Sequence, residues 1–448
     1  MRASRTATLW TSLFVLALGC GGKSDDTGDD DDGPDACVGI ECQVVNCSAM
    51  GLPNTSISGT VFAPNGTLPL NGVTVYVNRD PVTAFSEGVS CDRCSTTLPG
   101  SAVSQATSDA FGNFRLENVP AGANIPLIVT TGKWRRQIVI PSVTQCTDTV
   151  VGTAETRLPK NKSEGDIPKI ALTTGSADSL ECLIRKLGID DAEITPAAGS
   201  GRIHYYQGNG RSTISGTPLT SANALWDTVP ALSVYDIVFF SCEGDQRENT
   251  KSQNAMNAVR DYAAVGGRVF MSHWHNIWVG GDFQNGNGNQ SVPEWKSLAT
   301  WTANDQSPGN PIFIDEVSNP KGMLFADWMV NVGGSQVRGQ IEQTANTEKR
   351  TALTLDTTRA ERWVQTMDAD ANPKAGGPQM FQFTTPVDIA QDQKCGKVVY
   401  TDMHVSGNGV ANGDFPGNCG DSTTPLSNQE KALAFMFFDI AGCVGGLF

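Results

Sequence analysis

The sequence predicts a multidomain protein with a small all-β part followed by a larger α/β part. Between about residues 56 and 158, short segments of alternating apolar and polar residues are separated by turn signals, and none shows a sustained helical period. From residue 167 onward, short apolar strands alternate with amphipathic helices, which indicates a doubly wound, mostly parallel sheet. The length of 448 residues suits two or three domains.

The composition limits the class of partner. Acidic side chains outnumber basic ones, 47 to 32, which gives a formal net charge of -15. Binding to nucleic acid takes its affinity from Lys and Arg, so no nucleic-acid partner is expected. Apolar residues make up 39 % of the chain, which is too many for a wholly disordered protein.

The first residues have the features of an export signal. Arg2 and Arg5 precede an apolar stretch at 7–18, which is too short to span a bilayer as a helix. It ends in Leu16-Ala17-Leu18-Gly19-Cys20, which resembles a bacterial lipobox. That resemblance implies a signal peptide at 1–19 and a lipid on the thiol of Cys20; an ordinary secretory signal with a chance cysteine is the alternative. By resemblance to Gram-negative lipoprotein sorting, Gly21 rather than Asp after Cys20 implies the outer membrane of a bacterial cell envelope.

An acidic, cysteine-containing segment at residues 20–55 follows the predicted lipid. Residues 21–35 carry seven Asp against one Lys, a net charge of -6 within this stretch. A segment with so little apolar surface and so much like charge is predicted to be a disordered tether. A calcium site there is the alternative, but calcium loops need spaced ligands and a turn glycine.

The twelve cysteines predict disulfides, because an exported chain matures in an oxidising compartment. Cys182 and Cys242 are predicted to pair at the top of two neighbouring strands. Cys395, at the bottom of the last strand, is predicted to pair with Cys443 after the terminal helix, which leaves Cys419 as the odd thiol. The pairing of the remaining cysteines is left open; they are Cys37, Cys42, Cys47, Cys91, Cys94 and Cys146.

The β part, residues 56–158, fits a seven-strand sandwich. It resembles the carboxypeptidase regulatory-like, or prealbumin-like, domain. The residues that carry this resemblance are Gly59-Thr60-Val61, Pro69-Leu70-Asn71-Gly72-Val73-Thr74-Val75, Asp109-Ala110-Phe111-Gly112-Asn113-Phe114 and Val119-Pro120-Ala121-Gly122. The resemblance implies a non-catalytic spacer or binding module on an exported protein.

The α/β part at 167–448 follows a predicted linker at 159–166 and contains a predicted insertion at 276–376. Its predicted elements include an apolar strand at 235–241, an amphipathic helix at 254–265, one helix within the insertion, and a terminal helix that begins at a capping box, Ser427–Glu430. It resembles the class I glutamine amidotransferase-like fold, in its trehalose-utilisation-protein-like branch. The matching residues are Tyr235-Asp236-Ile237-Val238, Asp261-Tyr262, Gly266-Gly267-Arg268-Val269-Phe270 and the closing segment Gly396-Lys397-Val398-Val399-Tyr400-Thr401-Asp402-Met403-His404. The amidotransferase nucleophile, a Cys expected just after the Gly-Gly-x-Val strand, is absent, and Ser272-His273 stands there instead.

Three of the four histidines fall at the predicted carboxyl ends of strands, where open α/β sheets bind ligands. Only His204 lies inside a predicted strand. The polar or reactive residues expected at that edge are Thr174, Cys242, Glu243, Asp245, Ser272, His273, His275, Asp402 and His404.

Three interpretations of this edge are open. In the first, His273, His275 and His404 bind a metal with Glu243 or Asp245, and the ligand types favour zinc. In the second, Ser272 is a nucleophile with His404 as base and Glu243 as the group that orients it. In the third, these polar groups satisfy one another at a binding cleft or a loop junction.

The sequence leads to two predicted functions. The first is a lipid-anchored cell-envelope protein that binds a small molecule or glycan, or serves as a scaffold, without turnover. The alternative is a metal- or Ser-dependent hydrolase acting on carbohydrate. In both, the N-terminal lipid holds the chain at the membrane.

Overall fold

A computed structural model of the chain describes residue 37 and residues 39–95, 97–284, 292–366, 376–405 and 413–445. Residues 39–445 of this set belong to one compact unit. The predicted signal peptide, Cys20, most of the acidic tether and a Gly/Asn-rich stretch at 285–289 lie outside the described residues. No helix within the described ranges is long and apolar enough to cross a membrane.

Seven strands near the N-terminus form two sheets, ordered β4-β1-β7 and β3-β2-β5-β6. Their inward side chains, among them Ile57, Val75 and Leu127, share one apolar core, because alternate residues of each strand point to the same face. The strands are β1 (Ser56–Thr60), β2 (Thr74–Asn78), β3 (Ala102–Thr107), β4 (Asn113–Glu117), β5 (Gly122–Thr131), β6 (Trp134–Val143) and β7 (Asp148–Val150), followed by α1 (Thr153–Thr156).

The main sheet has the order β13-β10-β8-β14-β15-β22-β21-β20-β17-β18, and β9 also pairs with β10. The strands from β13 to β22 in this order are parallel, and those from β21 onward are antiparallel. The strands after β7 are β8 (Ile170–Thr173), β9 (Ile194–Pro196), β10 (Ile203–Gln207), β11 (Thr213–Ile214), β12 (Thr217–Pro218), β13 (Thr220–Ser221), β14 (Ile237–Phe240), β15 (Arg268–Ser272), β16 (Ala299–Gln306), β17 (Ile312–Ile314), β18 (Gln340–Ile341), β19 (Arg350–Leu355), β20 (Glu361–Gln365), β21 (Pro378–Thr385), β22 (Gly396–Thr401) and β23 (Asp414–Phe415).

Helices cover both faces of the parallel strands, and each face has its own apolar core. Along β14, for example, Ile237 and Phe239 join one core while Val238 and Phe240 join the other. The helices α2, α8 and α9 lie on the first face, and α3 to α7 lie on the second. They are α2 (Leu180–Lys186), α3 (Asn223–Trp226), α4 (Val229–Ser233), α5 (Gln253–Ala264), α6 (Ile277–Gly280), α7 (Pro293–Lys296), α8 (Gly322–Asn331) and α9 (Asn428–Ala441).

The start of α9 confirms the capping box predicted at Ser427–Glu430. The Ser427 hydroxyl accepts from the Glu430 N–H at 3.2 Å, and a Glu430 carboxylate oxygen accepts from the Ser427 N–H at 2.8 Å. This reciprocal pair satisfies two backbone donors that would otherwise lack partners at the helix start. The cap therefore fixes the point at which the chain enters its longest described helix.

The β-sandwich is packed directly onto the α/β part. Trp134 of β6 is fully buried against Phe437 and Phe438 of α9, with ring centroids 6.2 and 5.9 Å away. Trp328 of α8 donates its indole N–H to the carbonyl of Pro69 at 2.8 Å. The two parts accordingly share one continuous apolar core.

The observed disulfides correct the predicted pairing. Cys395 and Cys443 do not pair with each other; they bond to Cys91 and Cys94 of the sandwich. The reason is that the loop carrying these two cysteines lies beside the C-terminus, where the Cys94 N–H donates to the Val444 carbonyl at 3.0 Å. The prediction paired these cysteines only within the α/β part, so it did not consider partners in the sandwich.

The predicted bond between Cys182 and Cys242 is also wrong. Cys182 bonds to Cys419, which the prediction left as the odd thiol, because the chain around 419 runs beside α2 and its carbonyl accepts from Arg185 at 3.1 Å. Cys242 is the free, buried thiol of the described chain. The remaining observed pair is Cys47–Cys146, and Cys37 and Cys42 are also disulfide-bonded.

Glu164, between the sandwich and the main sheet, is expected to give a pH-dependent stability. The Arg157 guanidinium donates two hydrogen bonds to it, each 2.6 Å, and lowers the pKa of Glu164 from 4.5 to about 2. The stabilisation is thus present above about pH 4.5 and is lost as the pH falls toward 2. Glu164→Gln should lower the free energy of unfolding by about 2 kcal/mol at pH 7 and have little effect near pH 2. Urea unfolding at both pH values tests this, with exposed Glu155→Gln as control; an equal loss at both would contradict it.

Candidate active site

Four neighbouring parallel strands, β8, β14, β15 and β22, end at one edge of the main sheet. Their register aligns Thr173 with Phe240, and Ser272 with Thr401, at the carboxyl ends. Side chains that follow these strands therefore meet at that edge, as open α/β sheets generally arrange their ligand sites. Three of the predicted residues form one cluster there, namely Cys242, His273 and His404.

His273 occupies a strained turn between a strand and a helix. It directly follows β15, has a φ of 44°, and begins a 3-10 helix at His273–Asn276 that leads into α6. A left-handed conformation at a residue other than glycine costs free energy, and such strain is concentrated at functional sites. The Tyr400 hydroxyl donates to the His273 carbonyl at 2.9 Å and helps to hold this turn.

The three side chains of the cluster approach one another closely. The Cys242 Sγ lies 3.5 Å from His273 Nδ1, and the imidazole centroids of His273 and His404 are 4.9 Å apart. One ligand atom from each of the three falls within 4.8 Å of the others. Cys242 is 0 % exposed and each histidine is 1 % exposed. A thiol and two imidazoles are thus held together away from bulk water.

His404 is buried without hydrogen-bond partners for its ring. Neither Nδ1 nor Nε2 bonds to any part of the chain that the structure describes. Burial, followed by the nearby His273 and Lys349, holds the pKa of His404 well below its usual value, so the ring is neutral. A buried polar atom without a partner costs about 1–3 kcal/mol. The neutral ring therefore offers an unused electron pair to the cluster.

Asp305 approaches His273 from the predicted insertion. Its Oδ1 lies 3.5 Å from His273 Nε2, an ion-pair contact without the alignment of a hydrogen bond, and its Oδ2 lies 3.0 Å from Lys349. Burial lowers the pKa of His273, but Cys242 and Asp305 together outweigh it and raise the pKa to about 10. The His273 imidazole thus contacts the Cys242 thiol through one nitrogen and the Asp305 carboxylate through the other.

Asp402 has a structural role beside the cluster. Its carboxylate accepts from the N–H groups of Thr351 and Ala352 at 2.9 and 3.0 Å, and its Oδ1 lies 2.6 Å from the Tyr400 hydroxyl oxygen. Burial raises the pKa of Asp402, although neighbours including His273 lower it in part. These bonds fasten β19 of the insertion to β22, and they use the oxygens that a metal would need.

The structure corrects the place of His275 in the predicted metal set. Its Nε2 lies 2.9 Å from the Ser241 carbonyl, and its Nδ1 accepts from the Trp278 indole at 3.0 Å. Both nitrogens are thus used within the core, and burial holds the pKa of His275 well below its usual value. The 3-10 turn rotates the ring away from the cluster, whereas the prediction assumed an extended backbone. Cys242 stands where His275 was expected.

The hydrogen bonds of the predicted Ser272 triad are likewise absent from the described chain. The Ser272 hydroxyl donates to Asp178 at 2.7 Å, and Glu243 accepts from buried Lys251 at 2.5 Å. Since His404 bonds to neither of them, it does not act as a base between Ser272 and Glu243. Asp245 bonds to the backbone N–H of Arg247, and Thr174 bonds to the Arg211 carbonyl.

Sequence reasoning gave one residue of this cluster the wrong role and missed the carboxylate beside it. Cys242 was expected at this edge but was assigned to a disulfide, although the eleven cysteines other than Cys20 indicated that one thiol would stay free. Asp305 had no signal, because it lies in the insertion and the family resemblance does not extend there.

Replacing His404 by Phe should not destabilise the protein when a chelator is present. The substitution removes two buried nitrogens without partners and keeps an aromatic ring of similar size. His275→Phe, in contrast, leaves the Ser241 carbonyl and the Trp278 indole unpaired and should cost about 2 kcal/mol or more. Urea unfolding of both variants in excess chelator measures the difference. An equal loss for the two would show that His404 has partners of its own.

Comparison with known proteins gives weak likenesses. No protein-family model and no curated protein matches the chain. A cytoplasmic protein of Salmonella typhimurium is similar at 11 % identity over 61 % of this chain and 99 % of that one, with a TM-score of 0.32. A ThuA-like protein of Bacteroides uniformis is similar at 10 % identity over 60 % and 88 %, with a TM-score of 0.31. A cohesin–X-dockerin complex from Acetivibrio cellulolyticus is similar at 18 % identity over 28 % and 78 %, with a TM-score of 0.16. These scores support no argument about fold or function.

Proposed function

We propose that the chain is a lipid-anchored protein of a bacterial cell envelope whose α/β part is a hydrolase with its active centre at Cys242, His273 and His404. We also propose that this part belongs to the trehalose-utilisation-protein-like branch of the class I glutamine amidotransferase-like fold, and the sandwich to the prealbumin-like family. The order of the parallel strands and the sharp turn after β15 support the first assignment.

One observation carries the proposed activity. A thiol and two imidazoles converge at the carboxyl edge of a parallel sheet, on a strained turn, while one imidazole lacks any partner in the described chain. Packing alone does not require that arrangement, and an unpaired buried ring opposes it. In hydrolysis the oxygen of water bonds to the electrophilic carbon, the bond to the leaving group breaks, and a proton goes to the leaving group. A cluster that binds this water and makes its proton easier to remove serves that sequence.

Binding without turnover is the second candidate. Its support is the burial of the whole cluster, since each of the three residues is at most 1 % exposed. Carbohydrate as the ligand or substrate rests on the sequence resemblance. The two candidates share a site and differ in whether Cys242 changes a rate or only an affinity.

The hydrolase proposal is tested on the full chain with a panel of p-nitrophenyl esters and glycosides. The wild-type chain should hydrolyse at least one of them, and Cys242→Ala should lower kcat/KM at least about a thousandfold. Ser272→Ala is the matched control, because this hydroxyl bonds to Asp178 and not to the cluster. If the wild type hydrolyses no member, or if Cys242→Ala retains its rate, the hydrolase proposal is wrong.

The lipid anchor has its own test. Cells fed an alkyne-labelled fatty acid should incorporate the label into the wild-type chain and not into Cys20→Ala. The disulfides of the described chain support export to an oxidising compartment. Label at wild-type level in Cys20→Ala would remove the anchor from the proposal.

A further inference from the structure

The cluster at the sheet edge has more capacity to bind than its own contacts use. Cys242 Sγ lies 3.5 Å from His273 Nδ1 and accepts from the Gly244 N–H at 3.4 Å, while both nitrogens of His404 are unpartnered among the described residues. His275, only two residues from His273, shows the contrast, since both of its nitrogens are hydrogen-bonded. The same fold therefore satisfies one buried imidazole completely and leaves another open toward a thiol.

The spacing of the ligand atoms suits a tetrahedral metal ion. Zinc bonds of about 2.3 Å to sulfur and about 2.0 Å to nitrogen, at a tetrahedral angle, separate the two ligand atoms by about 3.5 Å. The observed distance from Cys242 Sγ to His273 Nδ1 is 3.5 Å. The three ligand atoms lie within 4.8 Å of one another, so the set closes around an ion when a ring nitrogen of His404 moves inward.

The surroundings of His273 match those of a metal-binding histidine. Such a histidine usually directs its second nitrogen to a carboxylate, which fixes the orientation of the ring. Asp305 Oδ1 lies 3.5 Å from His273 Nε2, on the side away from Cys242, and Lys349 holds the other oxygen of that carboxylate at 3.0 Å. His273 also has a strained φ of 44°, and its ring lies within the cluster.

We propose that Cys242 Sγ, His273 Nδ1 and one ring nitrogen of His404 bind a single zinc ion, with Asp305 as a positioning residue behind His273. Three protein ligands leave the fourth tetrahedral position open for water or substrate, which is the pattern of catalytic zinc sites. When zinc binds, Cys242 gives its thiol proton and His273 gives its Nδ1 proton to solvent, because the ligands are a thiolate and a neutral imidazole. This inference rests on the proposed function for its catalytic meaning, but the ion can be measured without any substrate.

The test uses the full chain in detergent, stripped with a chelator and then titrated with zinc alone. The wild type should bind one zinc per chain. His404→Gln and Cys242→Ser should bind it at least a hundredfold more weakly, and Asp305→Asn about 10- to 100-fold more weakly. His275→Gln is the matched control and should bind as the wild type does, because its imidazole lies outside the cluster.

Each result leads to a decision. A wild-type chain with no stoichiometric zinc, or a His404→Gln chain that binds as tightly as the wild type, overturns the site. Preferential uptake of copper with an intense visible absorption band overturns the choice of zinc, since copper also takes one Cys and two His ligands. Circular dichroism shows whether a ligand variant has failed to fold. In that case the zinc affinity of Asp305→Asn tests the site, because this variant keeps all three ligands. Zinc binding without hydrolysis would contradict the proposed hydrolase function and support the zinc site. Hydrolysis by a zinc-free chain would support the hydrolase function and contradict the zinc site.

Discussion

Removal of both disulfides between the sandwich and the α/β part is expected to lower the free energy of unfolding by roughly 10 kcal/mol. Cys91–Cys395 and Cys94–Cys443 span 304 and 349 residues of sequence. When one of these two bonds is already formed, the second bond closes a loop of only about 50 residues and contributes roughly 4 kcal/mol. The expected losses are therefore unequal, with the second removal costing more than the first.

Guanidinium unfolding of the two Cys-to-Ser pair variants and of the combined variant measures these losses. The Cys47–Cys146 bond, with a separation of 99 residues, joins the segment before β1 to the chain between β6 and β7 and is the matched control. Its loss should cost about half of what the combined variant loses, because it closes one loop of about 100 residues. A combined variant that unfolds at the wild-type denaturant concentration would contradict the prediction and would leave the apolar core around Trp134 as the main connection.

The second large effect is expected at the buried ion pair behind Cys242. Lys251 Nζ lies 2.5 Å from Glu243 Oε2, with the two side chains 0 % and 4 % exposed, and the ammonium also sits 5.1 Å above the Trp226 ring. Lys251→Met should destabilise the protein by about 3–5 kcal/mol, because it leaves the Glu243 carboxylate buried without its partner.

The double variant Lys251→Met/Glu243→Gln should recover most of that loss, since no buried charge remains. Urea unfolding of the two single variants and the double variant gives the coupling between them. Zinc affinity of the double variant is expected to equal that of the wild type, because Glu243 serves the ion pair and not the metal. A double variant that is no more stable than Lys251→Met would contradict this account of the ion pair. A double variant that loses zinc would show that Glu243 contributes to the metal site.

Local signals in the sequence predicted much of the α/β part. The capping box at Ser427, the helix predicted at 254–265 and observed at Gln253–Ala264, and the apolar strand at Ile237–Phe240 each depend on neighbours in the sequence. The rule that parallel strands end at one edge then brought His273 and His404 together from distant positions. Their ring centroids are 4.9 Å apart.

Long-range contacts were beyond these signals. The cysteine pairs between the sandwich and the α/β part depend on how two cores pack, which no local pattern reports. The insertion adds β17, β18 and β20 to the sheet and brings Asp305 to His273, although its sequence predicted only one helix. The ring of His275 lies outside the cluster because the chain enters a 3-10 turn directly after β15. The residues Ser-His-Trp-His carry no sequence signal that predicts this turn.

X-ray absorption at the zinc edge, on the wild-type chain reloaded with one equivalent of zinc, tests the central claim most directly. The cluster predicts one sulfur neighbour at about 2.3 Å and two imidazole nitrogens at about 2.0 Å, with one further light atom in the open position. In Cys242→Ser the sulfur contribution should vanish. A wild-type spectrum with only oxygen and nitrogen neighbours, or with two sulfurs, would contradict a zinc site built from Cys242, His273 and His404.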